Sequence, residues 1–167
     1  MCPILTQRQL ECFSGSAEQT RRFGERLGRL LQPGDVVCLE GELGTGKTCM
    51  VQGIGRGLGI ADPIASPSFI MVSEYRIPES GLFFYHIDLY RLEDKAGVWT
   101  LGLEEYLYGQ GVCAVEWAEK ATSLMPRKRL WITLRHLGEF KRVLTFEARG
   151  KRYQTLLKRF REETFGG

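Results

Sequence analysis

The chain has 167 residues, of which 43% are hydrophobic and 26% charged, a composition typical of a soluble globular protein. Its formal net charge is +3, and no stretch approaches the roughly 20 apolar residues that a membrane span requires. These features predict a single domain over residues 1–167 and, without a signal sequence, a cytoplasmic protein that has no membrane partner. The five cysteines form no closely spaced pair and are expected to be reduced.

The first predicted element is a helix over residues 16–32. Ser16 and Gln19 have the spacing of a capping box, and Phe23 and the leucines after it form one apolar face. The run DVVCLEG at 35–41 follows a turn and is apolar throughout, which predicts a buried parallel strand.

The next stretch, GELGTGKTC at 41–49, fits the phosphate-binding pattern G-x-x-x-x-G-K-[ST]. Backbone N–H groups must curl around phosphate oxygens, and side chains at the glycine positions would obstruct that path. The apolar residues at 50–58 have helical spacing, so the loop has a strand before it and a helix after it. The candidate nucleotide-binding residues here are Gly41, Glu42, Leu43, Gly44, Thr45, Gly46, Lys47, Thr48 and Cys49.

Two strands are predicted over 68–77 and 82–92, joined by the turn PESG, and short, broken helical turns over 93–107. A buried strand follows at 111–117, then a short helix or loop at 118–126. The segments RLWITLRHL and KRVLTFEAR alternate apolar and polar residues and predict a hairpin, before a basic terminal helix. The predicted fold class is α/β: a P-loop NTPase-like, three-layer sandwich with a mixed central sheet and flanking helices.

A phosphate-binding loop needs an acid at the end of a neighbouring strand, to hold Mg²⁺ or its water. Asp88 and Glu116 both end apolar runs and both qualify; their spacing alone leaves open which one contacts the metal. His86, two residues before Asp88, is the kind of lone strand histidine that is more often structural than catalytic. Ser66 and Ser68 form a hydroxyl-rich turn where a γ-phosphate sensor often lies in such proteins.

Positive charge is concentrated near the end of the chain. Residues 127–161 contain 12 Lys or Arg and two acids, which leaves 11 basic and 18 acidic residues in the remainder. Such a region favours RNA or an acidic partner surface, although a solvated charged face would have the same composition.

The motifs GELGTGKT, SPSFIMVSEY, YHIDLYRL, LGLEEYL and AVEW, in this order, resemble those of the TsaE family over nearly the whole chain. The resemblance implies a small bacterial ATPase that uses ATP and Mg²⁺ and supports formation of threonylcarbamoyladenosine in tRNA, next to the anticodon. It also implies TsaB and TsaD as partners, with tRNA contacted indirectly or through the basic C-terminal region.

Residue roles are carried over from the same resemblance. The loop from Gly41 to Thr48 would hold phosphates, with Lys47 at the transferred group. Thr48 and Glu116 would ligate Mg²⁺, and Asp88 would orient water or the outer shell of the metal. Trp117 would lie beside the nucleotide, and Ser66 and Ser68 would line the γ-phosphate side. The family usually has Thr where this chain has Ser68, and Arg where it has Glu139, so the hairpin turn is assigned no nucleotide contact.

Other functions remain open to the residues alone. A small metabolite kinase needs an arginine-rich lid, whereas only Arg56, Arg76 and Arg91 occur between the loop and Glu116. A GTPase commonly reads guanine through an asparagine-containing stretch, and this chain has no asparagine. A binding module whose nucleotide only orders a docking surface, without turnover, would use the same residues as an ATPase.

Overall fold

The structure is a computed structural model that describes residues 4–65, 71–93 and 102–166. Within these ranges eight strands form one sheet in the order β1-β2-β8-β7-β3-β6-β5-β4. The strands are β1 (Ile4–Leu5), β2 (Gln9–Ser14), β3 (Val36–Glu40), β4 (Val72–Arg76), β5 (Phe83–Asp88), β6 (Val112–Glu116), β7 (Arg129–Leu137) and β8 (Lys141–Arg149). The helices are α1 (Ala17–Gly28), α2 (Lys47–Gly57), α3 (Leu103–Leu107) and α4 (Lys151–Phe165), with a 3-10 helix at Ala118–Leu124.

The sheet is mixed, as predicted. Strand β3 pairs parallel with both β6 and β7, and β5 pairs parallel with β6. The outer pairings, β4 with β5, β7 with β8, β8 with β2 and β2 with β1, are antiparallel. The carboxyl ends of β3, β5 and β6 therefore lie at one edge of the sheet, where ligands of α/β proteins bind.

Successive residues of the central strands face opposite sides of the sheet and enter two separate cores. In β3, Val37 and Leu39 pack in the core that α1, α2 and α4 cover, whereas Val36 and Cys38 pack on the side of α3 and the 3-10 helix. This strict alternation with both sides buried makes the sheet the middle layer of three, which confirms the predicted architecture. None of the helices in the described residues combines the length and apolar character needed to cross a membrane.

Several predicted bounds differ from the structure. The first helix ends at Gly28, not at residue 32, although Leu30 and Leu31 beyond it are buried. Pro33 disfavours helical backbone at the residue before it, so the apolar stripe outlasts the helix. The capping box is half formed: Ser16 Oγ accepts from the Gln19 N–H at 3.1 Å, but Gln19 Oε1 accepts from the Gly15 N–H instead.

The N-terminal strands β1 and β2 were not predicted from the sequence. Leu10, Cys12 and Ser14 face inward in β2, but the apolar Phe13 on the other side conceals the alternation. The predicted strand at 68–77 is seen over Val72–Arg76, and residues 66–70 lie outside the described ranges. The hairpin of β7 and β8 has the predicted bounds.

Candidate functional site

The loop at 41–46 connects the buried strand β3 to the start of α2, as the motif predicted. Gly41 is tightly enclosed, because a Cβ there would lie 2.5 Å from the Leu134 carbonyl oxygen. Gly46 caps α2 with left-handed backbone (φ 101°), which side chains rarely permit. The loop thus directs the chain sharply into the N-terminus of α2, where backbone N–H groups and the helix dipole favour an anion.

Lys47, the first residue of α2, is 5% exposed. Its ammonium donates to the carbonyl oxygens of Gly41, at 2.5 Å, and Glu42, at 3.0 Å, and lies 4.0 Å from the centre of the Trp117 ring. Burial lowers the pKa of Lys47 from its usual value, while the nearby carboxylates, Glu116 first, act in the opposite direction. The charge is therefore held at the loop by polar partners that a phosphate could replace.

Thr48 and Glu116 meet across the gap between α2 and β6. The Thr48 hydroxyl lies 3.0 Å from Glu116 Oε1 and 3.3 Å from Oε2. Glu116 is 3% exposed, and its Oε2 lies 2.5 Å from His86 Nε2 of the neighbouring strand. Mg²⁺ in nucleotide sites is bound by hard oxygen ligands from the protein together with phosphate oxygens. The carboxylate of Glu116 and the hydroxyl of Thr48, placed together at the start of the helix, are ligands of this kind.

Asp88 lies directly beside Glu116 in the register of β5 and β6. Its Oδ1 accepts the Tyr90 N–H at 2.9 Å. Burial raises the pKa of Asp88 above its usual value, and the charge of Glu116 acts in the same direction. A bound divalent cation would offset the repulsion between the carboxylates of Asp88 and Glu116. The residues present therefore fit Mg²⁺.

Trp117 follows Glu116 and has φ 58°, the one positive φ outside glycine among the described residues. Its ring lies 5.1 Å from that of Tyr90, measured between centroids. A left-handed conformation is costly for a bulky residue and tends to occur at functional sites. The strained turn carries the indole to the Lys47 side of the cleft, next to where the sequence placed the nucleotide.

These side chains enclose an open cleft of about 500 Å³. Its lining includes most of the predicted site together with two residues that the sequence analysis did not assign, Tyr90 and Arg91; the predicted members are Leu43, Gly44, Gly46, Lys47, Thr48, Cys49, Asp88, Glu116 and Trp117. The other predicted loop residues, Gly41, Glu42 and Thr45, face a second cavity of about 480 Å³. Ser66 and Ser68 lie outside the described residues.

Two further contacts support the loop and carried no sequence signal. Arg142 of β8 donates to the Gly44 carbonyl oxygen at 3.2 Å. Glu119 Oε2 accepts the Gly41 N–H at 3.3 Å, and burial raises the pKa of Glu119. Both residues are remote from the loop in sequence and reach it only through the packing of β8 and of the 3-10 helix. By contrast, Tyr90 and Arg91 lie two and three residues after Asp88, which ends β5, and this position could have suggested them.

Comparison with known proteins gives a consistent result. The family model for the threonylcarbamoyl adenosine biosynthesis protein TsaE matches residues 14–144. The tRNA threonylcarbamoyladenosine biosynthesis protein TsaE of Bacillus subtilis is 41% identical over 149 residues, which are 89% of this chain and 92% of that protein. The protein of the same name from Treponema pallidum is 42% identical over 136 residues, covering 81% and 98% of the two chains.

Among solved structures, the crystal structure of YdiB from Bacillus subtilis matches with a TM-score of 0.77 and 37% sequence identity. The match covers 93% of this chain and 96% of that one. The similarity therefore extends over nearly the whole of both chains.

Proposed function

The chain belongs to the TsaE family of threonylcarbamoyl adenosine biosynthesis proteins, and from this premise we propose that it is a Mg²⁺-dependent ATPase. The proposed hydrolysis supports formation of threonylcarbamoyladenosine in tRNA, next to the anticodon, together with the TsaB and TsaD proteins. The observation that carries the ATPase proposal is the 3.0 Å contact between the Thr48 hydroxyl and Glu116, at the start of the helix that the phosphate-binding loop caps.

In this proposal each group of the cleft has one task. The loop from Gly41 to Thr48 cradles the phosphates, and Lys47 exchanges its loop carbonyls for phosphate oxygens. Thr48 and Glu116 hold Mg²⁺, which supplies charge neutralisation at the phosphates. Asp88 orients water or the outer shell of the metal. Ser66 and Ser68 serve the γ-phosphate side, and Trp117 lies beside the nucleotide.

The size of the cleft favours hydrolysis over transfer to a metabolite. One nucleotide and one metal use most of the lining, and Arg91 is the one arginine among the described residues that line the cleft. Isolated P-loop proteins often turn over slowly, because the group that positions water or neutralises charge arrives with a partner. We therefore expect slow ATP hydrolysis by the protein alone and faster hydrolysis with its partners.

The test measures phosphate release with and without TsaB and TsaD, and separately with a panel of sugar and nucleoside acceptors. Stimulation by the partners, with no effect of the acceptors, supports the proposal. Acceptor-dependent phosphoryl transfer without the partners would instead show a small kinase. Tight partner binding without turnover under any condition would show a nucleotide-dependent binding module.

The variant Lys47→Ala supplies the matched negative control for this assay. It removes the charge that steadies the transferring phosphoryl group, so phosphate release should fall to background. Lys128→Ala removes an exposed lysine next to the start of β7, at the opposite edge of the sheet, and should hydrolyse ATP like the wild type. Undiminished turnover by Lys47→Ala would overturn the assignment of the loop.

The basic C-terminal region offers a second surface for this function. Helix α4 begins after β8 ends, and Arg149 of β8 pairs with Arg129 at the start of β7, so α4 begins at the edge opposite the cleft. Lys151, Lys158 and Arg161 line a groove of about 550 Å³ there. We propose that tRNA contacts this region or reaches the protein only through its partners; a salt-dependent shift of tRNA mobility by the isolated protein would distinguish the two.

A further inference from the structure

His86 is the buried residue of the site whose presence packing alone does not explain. The side chain is fully buried in β5, on the side of the sheet that it shares with Phe84. Its Nδ1 is a buried atom without a hydrogen-bond partner among the described residues. A buried polar atom without a hydrogen-bond partner lowers the stability of the folded protein, so an apolar side chain at this position would make the core more stable.

The other ring nitrogen makes a single, close contact. His86 Nε2 lies 2.5 Å from Glu116 Oε2, whereas Oε1 of the same carboxylate is the oxygen nearer to the Thr48 hydroxyl, at 3.0 Å. A carboxylate that holds a metal only accepts hydrogen bonds, so in the metal-bound site Nε2 would be the donor of this contact. Glu116 is thus held from two directions, by α2 on one side and by β5 on the other.

The backbone fixes this arrangement. His86 and Asp88 are two residues apart on β5 and share one side of the sheet, and in the register with β6 Glu116 lies opposite Asp88. His86 therefore contacts Glu116 diagonally across the two strands, from a position two residues further from the cleft than Asp88. The imidazole ring has few rotamers and is enclosed on all sides, so its position is far better defined than that of a solvent-exposed donor.

We propose that His86 is a positioning residue that orients the Glu116 carboxylate for Mg²⁺. This inference rests on the proposed function, in which Glu116 holds the metal. With Oε2 bound to His86, the carboxylate plane is set and Oε1 faces Thr48 and the cleft. Without the donor, the carboxylate can rotate away. Hydrogen bonds to ligating groups typically change metal affinity by about 10- to 100-fold when they are lost.

The test compares three substitutions that differ in where they place a donor. His86→Gln can return an N–H near the position of Nε2, whereas the amide of His86→Asn is shorter by one methylene and cannot reach Glu116. His86→Leu has no donor. Calorimetric titration of each protein gives the ADP affinity without metal and the Mg²⁺ affinity at saturating ADP. We expect Leu and Asn to weaken Mg²⁺ binding about 10-fold or more, and Gln to restore most of it.

The ADP affinity without metal should equal that of the wild type in all three variants, because His86 acts only through the metal. A purely structural defect would instead lower the ADP affinity and the Mg²⁺ affinity together. The other histidine of the chain, the exposed His136, supplies the control: His136→Leu should bind Mg²⁺ like the wild type. Circular dichroism verifies that each variant is folded, and if Leu does not fold, the Gln and Asn pair carries the comparison.

Three results would overturn the role of His86: wild-type Mg²⁺ affinity in the Asn variant, equal loss in Asn and Gln, or equal loss of ADP affinity with and without metal. Each of these leaves the proposed function intact as long as the wild type couples Mg²⁺ to ADP. A wild type whose ADP affinity ignores Mg²⁺ would remove the proposed metal site and the role of His86 with it.

Discussion

Asp88 is a residue at which folding and function oppose each other. The carboxyl group lies beside Glu116, and burial raises its pKa. An acid whose pKa is higher in the folded than in the unfolded state keeps its proton longer in the fold. Stability is therefore lost as the pH rises through that window, and above it the ionised Asp88 opposes folding. Perturbed pKa values of this kind are common at functional sites.

We accordingly predict that Asp88→Asn raises the melting temperature in metal-free buffer at neutral pH. Asparagine retains the oxygen that accepts the Tyr90 N–H but carries no charge. The gain should shrink as the pH falls and should vanish well below about 4, the unfolded-state pKa of an Asp, where the carboxyl group of the wild type is protonated in both states. Thermal unfolding followed by circular dichroism at a series of pH values measures it, with the exposed Asp62→Asn as control. A lower melting temperature for Asp88→Asn at neutral pH would contradict the prediction.

The two carboxylates should also differ in how they affect the metal. Glu116 contacts the Thr48 hydroxyl, whereas Asp88 has one oxygen committed to a backbone N–H. We predict that both Glu116→Ala and Asp88→Ala abolish hydrolysis but that Glu116→Ala weakens the Mg²⁺ dependence of ADP binding more. Titration of each apo protein with ADP at several Mg²⁺ concentrations measures this. If only Asp88→Ala loses metal dependence, the two roles are reversed.

At this scale the sequence predicted the loop and both acids, because each belongs to a local pattern of a strand, a turn and a helix, whereas the role of Trp117 was implied by the resemblance to the TsaE family. It did not predict that Arg142 reaches Gly44 or that His86 reaches Glu116. Those contacts depend on strand register and on the packing of segments far apart in the chain, and neither leaves a periodic signal in one sequence.

At the scale of elements, the placement of the loop depends on how closely α1 and α2 pack. A Cβ on Gly53 would lie 2.0 Å from the Arg21 carbonyl oxygen, and one on Gly24 would lie 2.4 Å from that of Met50. Gly28 and Gly57 make equally close approaches one turn further along. Glycine weakens a helix, so its use at these positions reflects backbone contact between the helices. Since α2 begins at Lys47, α1 holds the loop in place.

We predict that Gly53→Ala lowers the free energy of unfolding by about 1–3 kcal/mol or more, because the methyl group overlaps backbone that cannot move independently. The same displacement should weaken ADP binding, since it shifts the start of α2. Urea unfolding and ADP titration measure the two effects, and Arg22→Ala on the exposed side of α1 should change neither. Wild-type stability in Gly53→Ala would show that the helices can separate without cost.

Sequence patterns predicted elements well where a single period dominates. The β7–β8 hairpin has nine residues in each strand, long enough for the alternation to show despite Trp131, and was found with the predicted bounds. The strand β2 was missed because Phe13 breaks its alternation, and α1 was predicted too long because its apolar stripe continues into a turn. In both cases tertiary burial, which local pattern does not record, decided the outcome.

At the scale of the whole molecule, the sheet has a buried centre and small outer elements. Strands β3 and β6 are buried along nearly their full lengths and pair with neighbours on both sides, while β1 is a two-residue strand at the sheet edge and the last turn of α4 is exposed. The cleft lies at the carboxyl ends of the central strands. A ligand bound there is attached to the most stable part of the fold, so its binding energy adds to global stability rather than to local order at the edges.

We therefore predict that amide hydrogen exchange separates two classes of residues when Mg²⁺ and ADP are added. Ligand at 100 times its dissociation constant stabilises the native state by about 2.7 kcal/mol. Amides of β3 and β6 that exchange only through global unfolding should then slow by about 100-fold. The amides of β1 and of residues 162–165 in α4 exchange by local fraying, and their exchange rates should be unchanged.

The Lys47→Ala protein is the control, and the exchange rates of its central strands should change much less when Mg²⁺ and ADP are added. Equal slowing in both classes would mean that the edges open only with the centre, and no slowing in β3 would mean that the nucleotide does not bind the native fold.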